Sequence, residues 1–260
     1  PQAPIGTDMS NDTFDYVIVG TGAAGAILAA RLGEDPTLSI CVLEAGPRDW
    51  HPYLHLPAGF IKVLFNPDFT WQFGSEPTHW TGGRRVPLPQ GRTAGGSTAI
   101  NGLVYNRGQA EDYDGWAALG NPGWAFADLL PYFMRSERRI GPGDDALRGR
   151  RGPIPVTDID WKHPVCEAFL QGAEELGLPR NPDYNGATQA GVGYFQRTIH
   201  HGVRMGTAPN FLTPALRRGN VVLRSSAQAT SIAFDGLRAT GVRYQRAGRS
   251  ELVRARREVI

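Results

Sequence analysis

The sequence predicts a mixed α/β fold built on a βαβ core with a β-meander. Three observations predict it. A β-branched apolar run, Phe14-Asp-Tyr-Val-Ile-Val-Gly20, ends in a glycine turn and leads into an alanine-rich helix. A second apolar run, Leu38 to Leu43, closes a unit of the length that a strand–helix–strand crossover needs. The last forty residues read as short strands separated by turn dipeptides.

Composition narrows the class. The 260 residues are 41% apolar and 20% charged, an ordinary globular balance that is enough for one or two cores. Lys and Arg number 27 against 25 Asp and Glu, a net charge of +2. So small an excess does not call for nucleic acid or a membrane surface as partner. The densest basic cluster, Arg148-Gly-Arg150-Arg151, is expected to lie in a solvated loop. Cys41 and Cys166 are too few for a disulfide framework and are expected to be free thiols, which suits a reducing, cytoplasmic compartment. No stretch is long and apolar enough for a membrane span. Residues 1–13 are expected to form a flexible tail, with Met9 a plausible original start.

The elements follow in order. The strand at 14–20 is expected to be buried and parallel. Ala23 to Leu32 forms the helix, which Gly33 stops. Residues 46–90 hold little periodicity and are expected to cover something. Asp128 to Arg139 reads as a helix, with Asp128 as its cap and Pro131 in its first turn. A charged, glycine-rich loop spans 141–152, and an extended segment begins at Gly152–Thr157. His163 to Leu176 is helical, with Val165, Phe169, Ala173 and Leu176 as its apolar stripe. Gly193–Ile199 is a strand and Ala208–Leu216 a short helix. The tail strands are Val221–Arg224, Gln228–Phe234, Ala239–Gln245 and Glu251–Ile260. Asp235-Gly236 and Ala247-Gly248 mark the turns.

Two motifs carry chemistry. In Gly20-Thr-Gly22-Ala23-Ala24-Gly25 the glycines end a strand and open a helix, and Glu44 ends the next strand 19 residues after Gly25. That is the context of a dinucleotide fingerprint. Gly20 serves the tight turn and Gly22 the approach of a pyrophosphate to the helix terminus, while Gly25 serves helix–strand packing. Glu44 can accept from ribose hydroxyls and disfavours a 2′-phosphate. The plainer alternative is a glycine-punctuated turn. The second motif runs from Gly91 through Thr93, Gly95, Gly96, Ser97, Asn101 and Gly102 to Gly108. Five glycines in 18 residues are costly to order unless backbone must go where side chains would clash. The apolar residues Ile100, Leu103, Val104 and Tyr105 speak against a loose surface loop.

The pairing of these motifs resembles the glucose–methanol–choline (GMC) flavoprotein oxidoreductases, closest in texture to the choline-dehydrogenase-like branch. Asp112-Tyr-Asp-Gly-Trp116, Leu119-Gly-Asn-Pro-Gly-Trp124, Leu130-Pro-Tyr-Phe133 and Gly191-Val-Gly-Tyr194 are similar to family segments too. The resemblance implies a Rossmann-like FAD-binding domain with the β-meander, interleaved with part of an antiparallel-sheet substrate domain. The implied division is 14–152 for the FAD domain with its cover at about 46–90, then 153–214 for the substrate domain. Residues 215–260 return to the FAD domain, and the remainder of both domains is expected after 260.

The resemblance also implies the site. Gly20, Gly22, Ala23, Ala24, Gly25, Glu44 and Ala45 would hold the ADP part of FAD. Thr93, Gly95, Gly96 and Ser97 would hold the ribityl and phosphate portion, and Asn101, Gly102, Leu103 and Val104 the flavin ring. Ala229 would meet adenine, and Trp71 would touch the cofactor or pack in the core. Some family members attach FAD through a histidine whose position here is Ile100, so non-covalent FAD is expected.

The implied reaction is hydride transfer from a small-molecule alcohol to flavin N5, with oxygen or another molecule as electron acceptor. The family's acid–base pair comes from the carboxy-terminal half, so no catalytic residue is assigned here. The chain alone is expected to be inactive, or to act with a second chain carrying the rest. His51, His55, His79 and His163 are expected to be surface or packing residues. So is the pair His200 and His201, whose side chains should point to opposite faces of an extended chain. No metal-ligand spacing occurs. Hydroxynitrile lyase and fatty-acid photodecarboxylase chemistry, within the same family, are the alternative activities. A non-catalytic flavin-binding fragment is the alternative from another class. A nicotinamide-dependent dehydrogenase leaves the loop at 91–108 without a role.

Overall fold

The computed structural model describes residues 12–260. Residues 1–11, including Met9 and most of the expected tail, lie outside the described residues. The chain forms two compact units. One runs through Asn101 and resumes over Gly206–Ile260, and the other is Gly102–Met205. The division read from the sequence set the corresponding limits at 152–153 and 214–215.

The first unit begins with β1 (Thr13–Val19), α1 (Ala23–Leu32) and β2 (Ile40–Leu43). β1 and β2 pair in parallel from Tyr16↔Ile40 to Val19↔Leu43. All four residues of β2 are buried, as expected of a parallel strand covered on both faces. α1 buries Ala26, Ala29 and Ala30, whose small side chains let the helix lie close. Gly33 ends it where a Cβ would lie 2.5 Å from Val221 Cγ2.

The 46–90 segment is more regular than its sequence suggests. It contains α2 (Pro52–His55), α3 (Phe60–Val63) and the antiparallel pair β3 (Thr70–Gly74) and β4 (Pro87–Gly91). Prolines at 87 and 89 hide β4 from a strand reading, because proline lacks a ladder donor. Leu54, Val63 and Phe69 bury against Ala99 and Ile100.

The second unit holds β5 (Val104–Tyr105), α4 (Ala110–Ala118), α5 (Phe126–Ser136), β6 (Glu137–Ile140) and β7 (Ile154–Thr157). It continues with α6 (Pro164–Glu175), β8 (Gln196–Arg197), β9 (Ile199–His200) and β10 (Val203–Arg204). Its main sheet has the order β5-β8-β7-β6, antiparallel except at β6–β7.

Several expectations are corrected within this unit. α5 starts at Phe126, and Pro131 lies inside it rather than in its first turn. Its leading amide, Phe126 N–H, donates to Asp114 Oδ1 at 2.9 Å, so the cap comes from α4 and not from Asp128. Residues 137–140 are strand, not helix. α6 buries Leu170 and Ala173 against Val192 and Tyr194. Val165 and Phe169, the expected inner stripe, are 69% and 73% exposed.

The basic run at 148–151 is not simply a solvated loop. Arg148 is fully buried and pairs with Glu137 and Asp183, and Arg107 pairs with the other Glu137 oxygen. Two cations around one buried carboxylate, itself 0% exposed, form a buried ion cluster. His200 and His201 also depart from expectation. His201 has φ 50°, and the two rings lie 3.8 Å apart instead of facing opposite ways.

The chain then returns to the first unit. A π turn at Ala208–Leu212 runs into α7 (Thr213–Leu216), followed by β11 (Val221–Arg224), β12 (Gln228–Asp235), β13 (Arg238–Arg246) and β14 (Arg249–Val259). The completed six-stranded sheet has the order β11-β2-β1-β14-β13-β12. β11, β2, β1 and β14 run parallel, and β14-β13-β12 is the antiparallel meander. Val17, Cys41, Leu43, Val242, Tyr244 and Val253 form its core. Cys41 is a free thiol that burial pushes up to about 11, and Cys166 is free and exposed. No helix among the described residues is long and apolar enough to cross a membrane.

Candidate functional site

A cleft of about 510 Å³ opens in the first unit, at the carboxyl ends of β1 and β2. Ligands of open α/β sheets bind outside such strand ends, at the point where the strand order reverses. The lining includes Val19 and Gly20 from the end of β1, Gly22 and Ala23 from the start of α1, and Leu43, Glu44 and Ala45 from the end of β2. Trp71 on β3, Gly91, Gly96, Ser97 and Thr98, and Ala227, Gln228 and Ala229 complete it.

Backbone-to-backbone packing builds this cleft, and the glycines permit it. A Cβ on Gly25 would lie 2.0 Å from Gly20 O, which is the helix-to-turn contact expected of the third glycine. A Cβ on Gly46 would lie 1.9 Å from Arg92 O, and one on Gly91 2.2 Å from Gly96 C. Gly96 has φ +54°, and its Cβ would lie 2.7 Å from Gly22 Cα. The two glycine motifs, far apart in sequence, therefore pack on each other directly. Gly95 N–H adds a hydrogen bond to Thr21 O at 3.1 Å.

The cleft suits a dinucleotide at three places. Gly22 is the N-cap of a ten-residue helix and carries no side-chain cap, so the leading amides of α1 remain free of a side-chain acceptor. A Cβ on Gly22 would meet no protein atom, which leaves the backbone open to close approach. Glu44, 5% exposed, keeps acceptor capacity. Its Oε2 accepts from Thr21 N at 3.0 Å and Thr21 Oγ1 at 2.5 Å, and its Oε1 accepts from Gly46 N at 2.9 Å. A carboxylate has about four acceptor sites, so one remains. The expectation of several ribose bonds narrows to a single one.

Of the residues singled out in the sequence, Gly20, Gly22, Ala23, Glu44, Ala45, Trp71, Gly96, Ser97 and Ala229 line the cleft. Ala24 lies on α1, and Gly25 packs beneath the turn. Thr93 is fully buried and donates to Pro47 O at 3.1 Å, so its hydroxyl serves the loop rather than the lining. Gly95 supports Gly96 from behind, and Asn101 is exposed at the end of this unit. Gly102, Leu103 and Val104 belong to the second unit. Trp71 carries the Arg92 guanidinium over its ring at 4.9 Å.

Gly91 and Thr98 of the second glycine motif also line the cleft, and sequence reading missed Val19, Leu43, Ala227 and Gln228. Most of them adjoin residues that were singled out, and the rule about strand carboxyl ends would have found Val19 and Leu43. None of the six histidines lines the cleft. His51 and His163 instead cap α2 and α6 through Nδ1. No group of three or more His, Cys, Asp or Glu among the described residues could hold a metal ion.

Known proteins share this arrangement. The chain is 44% identical over 246 residues to the oxygen-dependent choline dehydrogenase of Sinorhizobium fredii, and 42% identical to that of Rhizobium etli. Each alignment covers 95% of this chain and 44% of the relative, so the chain spans under half the length of these curated relatives. Pyridoxine 4-oxidase from Mesorbium loti superposes with a TM-score of 0.88 at 31% identity, over 93% of this chain and 48% of that one. An FAD-dependent oxidoreductase from Chaetomium thermophilum gives the same TM-score and identity over 95% and 44%. The family model described as GMC oxidoreductase matches residues 14–260, which takes in both glycine motifs, Glu44 and the closing strands of the sheet, and the chain belongs to that family.

Proposed function

We propose that this chain binds FAD in the cleft of its first unit and serves an enzyme that oxidises an alcohol. The observation that carries the reading is the cleft itself, where two glycine motifs, a helix start without a side-chain cap and a carboxylate with one acceptor site left converge. The α1 amides and Gly22 would meet the diphosphate, and Glu44 Oε1 the adenosine ribose. Ala229 would lie against adenine. Gly96, Ser97 and Trp71 would face the ribityl and flavin portion, and the family resemblance adds Asn101. When bound, FAD supplies the hydride-accepting chemistry. The chain's own residues bind and orient it.

Similarity to choline dehydrogenases and to a pyridoxine 4-oxidase supports a CH–OH donor, with oxygen or another acceptor closing the cycle. The two free thiols favour a cytoplasmic setting. The family resemblance implies that the proton-accepting base comes from a carboxy-terminal half, and no residue here is assigned that role. FAD is held without a covalent bond, because the loop offers Ile100 where a histidyl link would form.

The test uses the complete protein reconstituted with FAD. Acid precipitation is expected to leave a yellow supernatant, and an alcohol added in the dark without oxygen is expected to bleach the bound flavin. A yellow pellet would overturn the non-covalent reading. Bleaching that needs blue light and a fatty acid would replace the dehydrogenase by the decarboxylase. A colourless protein with no FAD affinity would reject the cofactor.

A further inference from the structure

Thr21 sits at the position of the first glycine motif that the dinucleotide pattern leaves open, since G-x-G-x-x-G specifies only glycines. Its surroundings are specific. The residue is fully buried, and its amide and hydroxyl converge on one oxygen, Glu44 Oε2, at 3.0 and 2.5 Å. Its carbonyl accepts from Gly95 N–H at 3.1 Å. Both acceptor sites of Oε2 are thereby filled, while Oε1 holds one donor, Gly46 N–H at 2.9 Å.

We propose that Thr21 is a positioning residue for ribose recognition. Its hydroxyl saturates Oε2, fixes the rotation of the Glu44 carboxylate and leaves Oε1 as the single acceptor presented to a ligand hydroxyl. The terminal torsion of a glutamate is broad, so rotamer preference does not set this orientation. Two donors on one oxygen and one on the other do. Remove the hydroxyl, and Oε2 regains an acceptor site while the carboxylate plane is held by two amides only. The proposal rests on the reading of the cleft as an FAD site.

The test compares FAD with an analogue lacking both adenosine-ribose hydroxyls, bound to the apoprotein of the full chain and followed by flavin fluorescence. The original protein is expected to favour FAD by about 10-fold or more, the scale of a hydrogen bond to a charged group. Thr21→Val, which keeps the shape and loses the donor, should shrink that preference to about 3-fold or less, and Thr21→Ser should restore it. Thr21→Ala, read in the same way, covers the case in which the valine variant does not fold. A variant that weakens both ligands equally and keeps the preference would make Thr21 merely structural and overturn the proposal. An original protein that binds FAD but does not distinguish the two would remove the ribose from Glu44, and the proposal with it. An original protein that binds neither would reject the FAD reading itself.

Discussion

At the scale of single residues, Glu44 shows how a site residue can also be structural. The strand-to-helix context and the spacing to Gly25 identify it in the sequence. Its three internal donors do not show there, because Thr21 and Gly46 reach it only in the folded turn. Sequence reasoning alone expects Glu44→Ala to weaken FAD retention and nothing else. The structure adds a folding cost, since the amides of Thr21 and Gly46 would lose a buried acceptor. Such losses cost about 1–3 kcal/mol. Glu44→Ala is therefore expected both to weaken FAD binding and to lower the urea midpoint of the apoprotein. An apoprotein as stable as the original would refute the structural half. Arg148 teaches a related lesson. It stands in a basic run that looks solvated, yet Glu137 and Asp183 are placed by other elements to neutralise it. A sequence shows charges one at a time, and long-range pairing decides which of them can be buried.

At the scale of elements, legibility follows how local the cause is. β1, α1 and β2 were readable because apolar runs and glycine punctuation act within a few residues. The meander was readable from its turns, and Ala247 and Gly248 indeed take positive φ. α5 and α6 were found but misread in detail. The cap of α5 comes from Asp114, twelve residues earlier, and the buried face of α6 is chosen by Val192 and Tyr194. The second glycine motif was recognised, but for an incomplete reason. Five glycines there imply only that backbone must go where side chains would clash. Gly96 in fact makes room for Gly22, with a would-be Cβ 2.7 Å from that residue's Cα and a backbone φ of +54°. Gly96→Val should thus push the two motifs apart and strain the turn, at a cost of about 1–3 kcal/mol for the backbone alone. We expect FAD binding to be lost while circular dichroism still shows the strands of the sheet. Retained FAD affinity in the folded variant would contradict the packing role.

At the scale of the whole chain, the site depends on residues that enter from five separate stretches of sequence. The chain departs from the first unit after Asn101, returns at Gly206, and only then adds β11 beside β2 and β14 beside β1. Ala227 to Ala229 reach the cleft through that return. Nothing local to residues 20–45 discloses that a segment nearly two hundred positions later lines the same cleft. The arrangement predicts a pattern of protection. A ligand bound only to the folded state stabilises it by about 2.7 kcal/mol at 100 times its dissociation constant, so amides that exchange by opening of the unit should slow up to about 100-fold. Hydrogen exchange of the full chain with and without FAD is expected to show slowing at 20–25, 43–46, 91–98 and 227–229 together. The amides of Thr21 and Gly46 already have acceptors on Glu44, so their slowing would report stabilisation of the turn rather than new ligand bonds. The leading amides of α1 lack a side-chain cap, and they should slow the most, because FAD would add an acceptor there. Protection confined to 20–25, with 91–98 and 227–229 unchanged, would mean that the glycine motifs do not share one ligand, and the cleft would lose its role as a single FAD site.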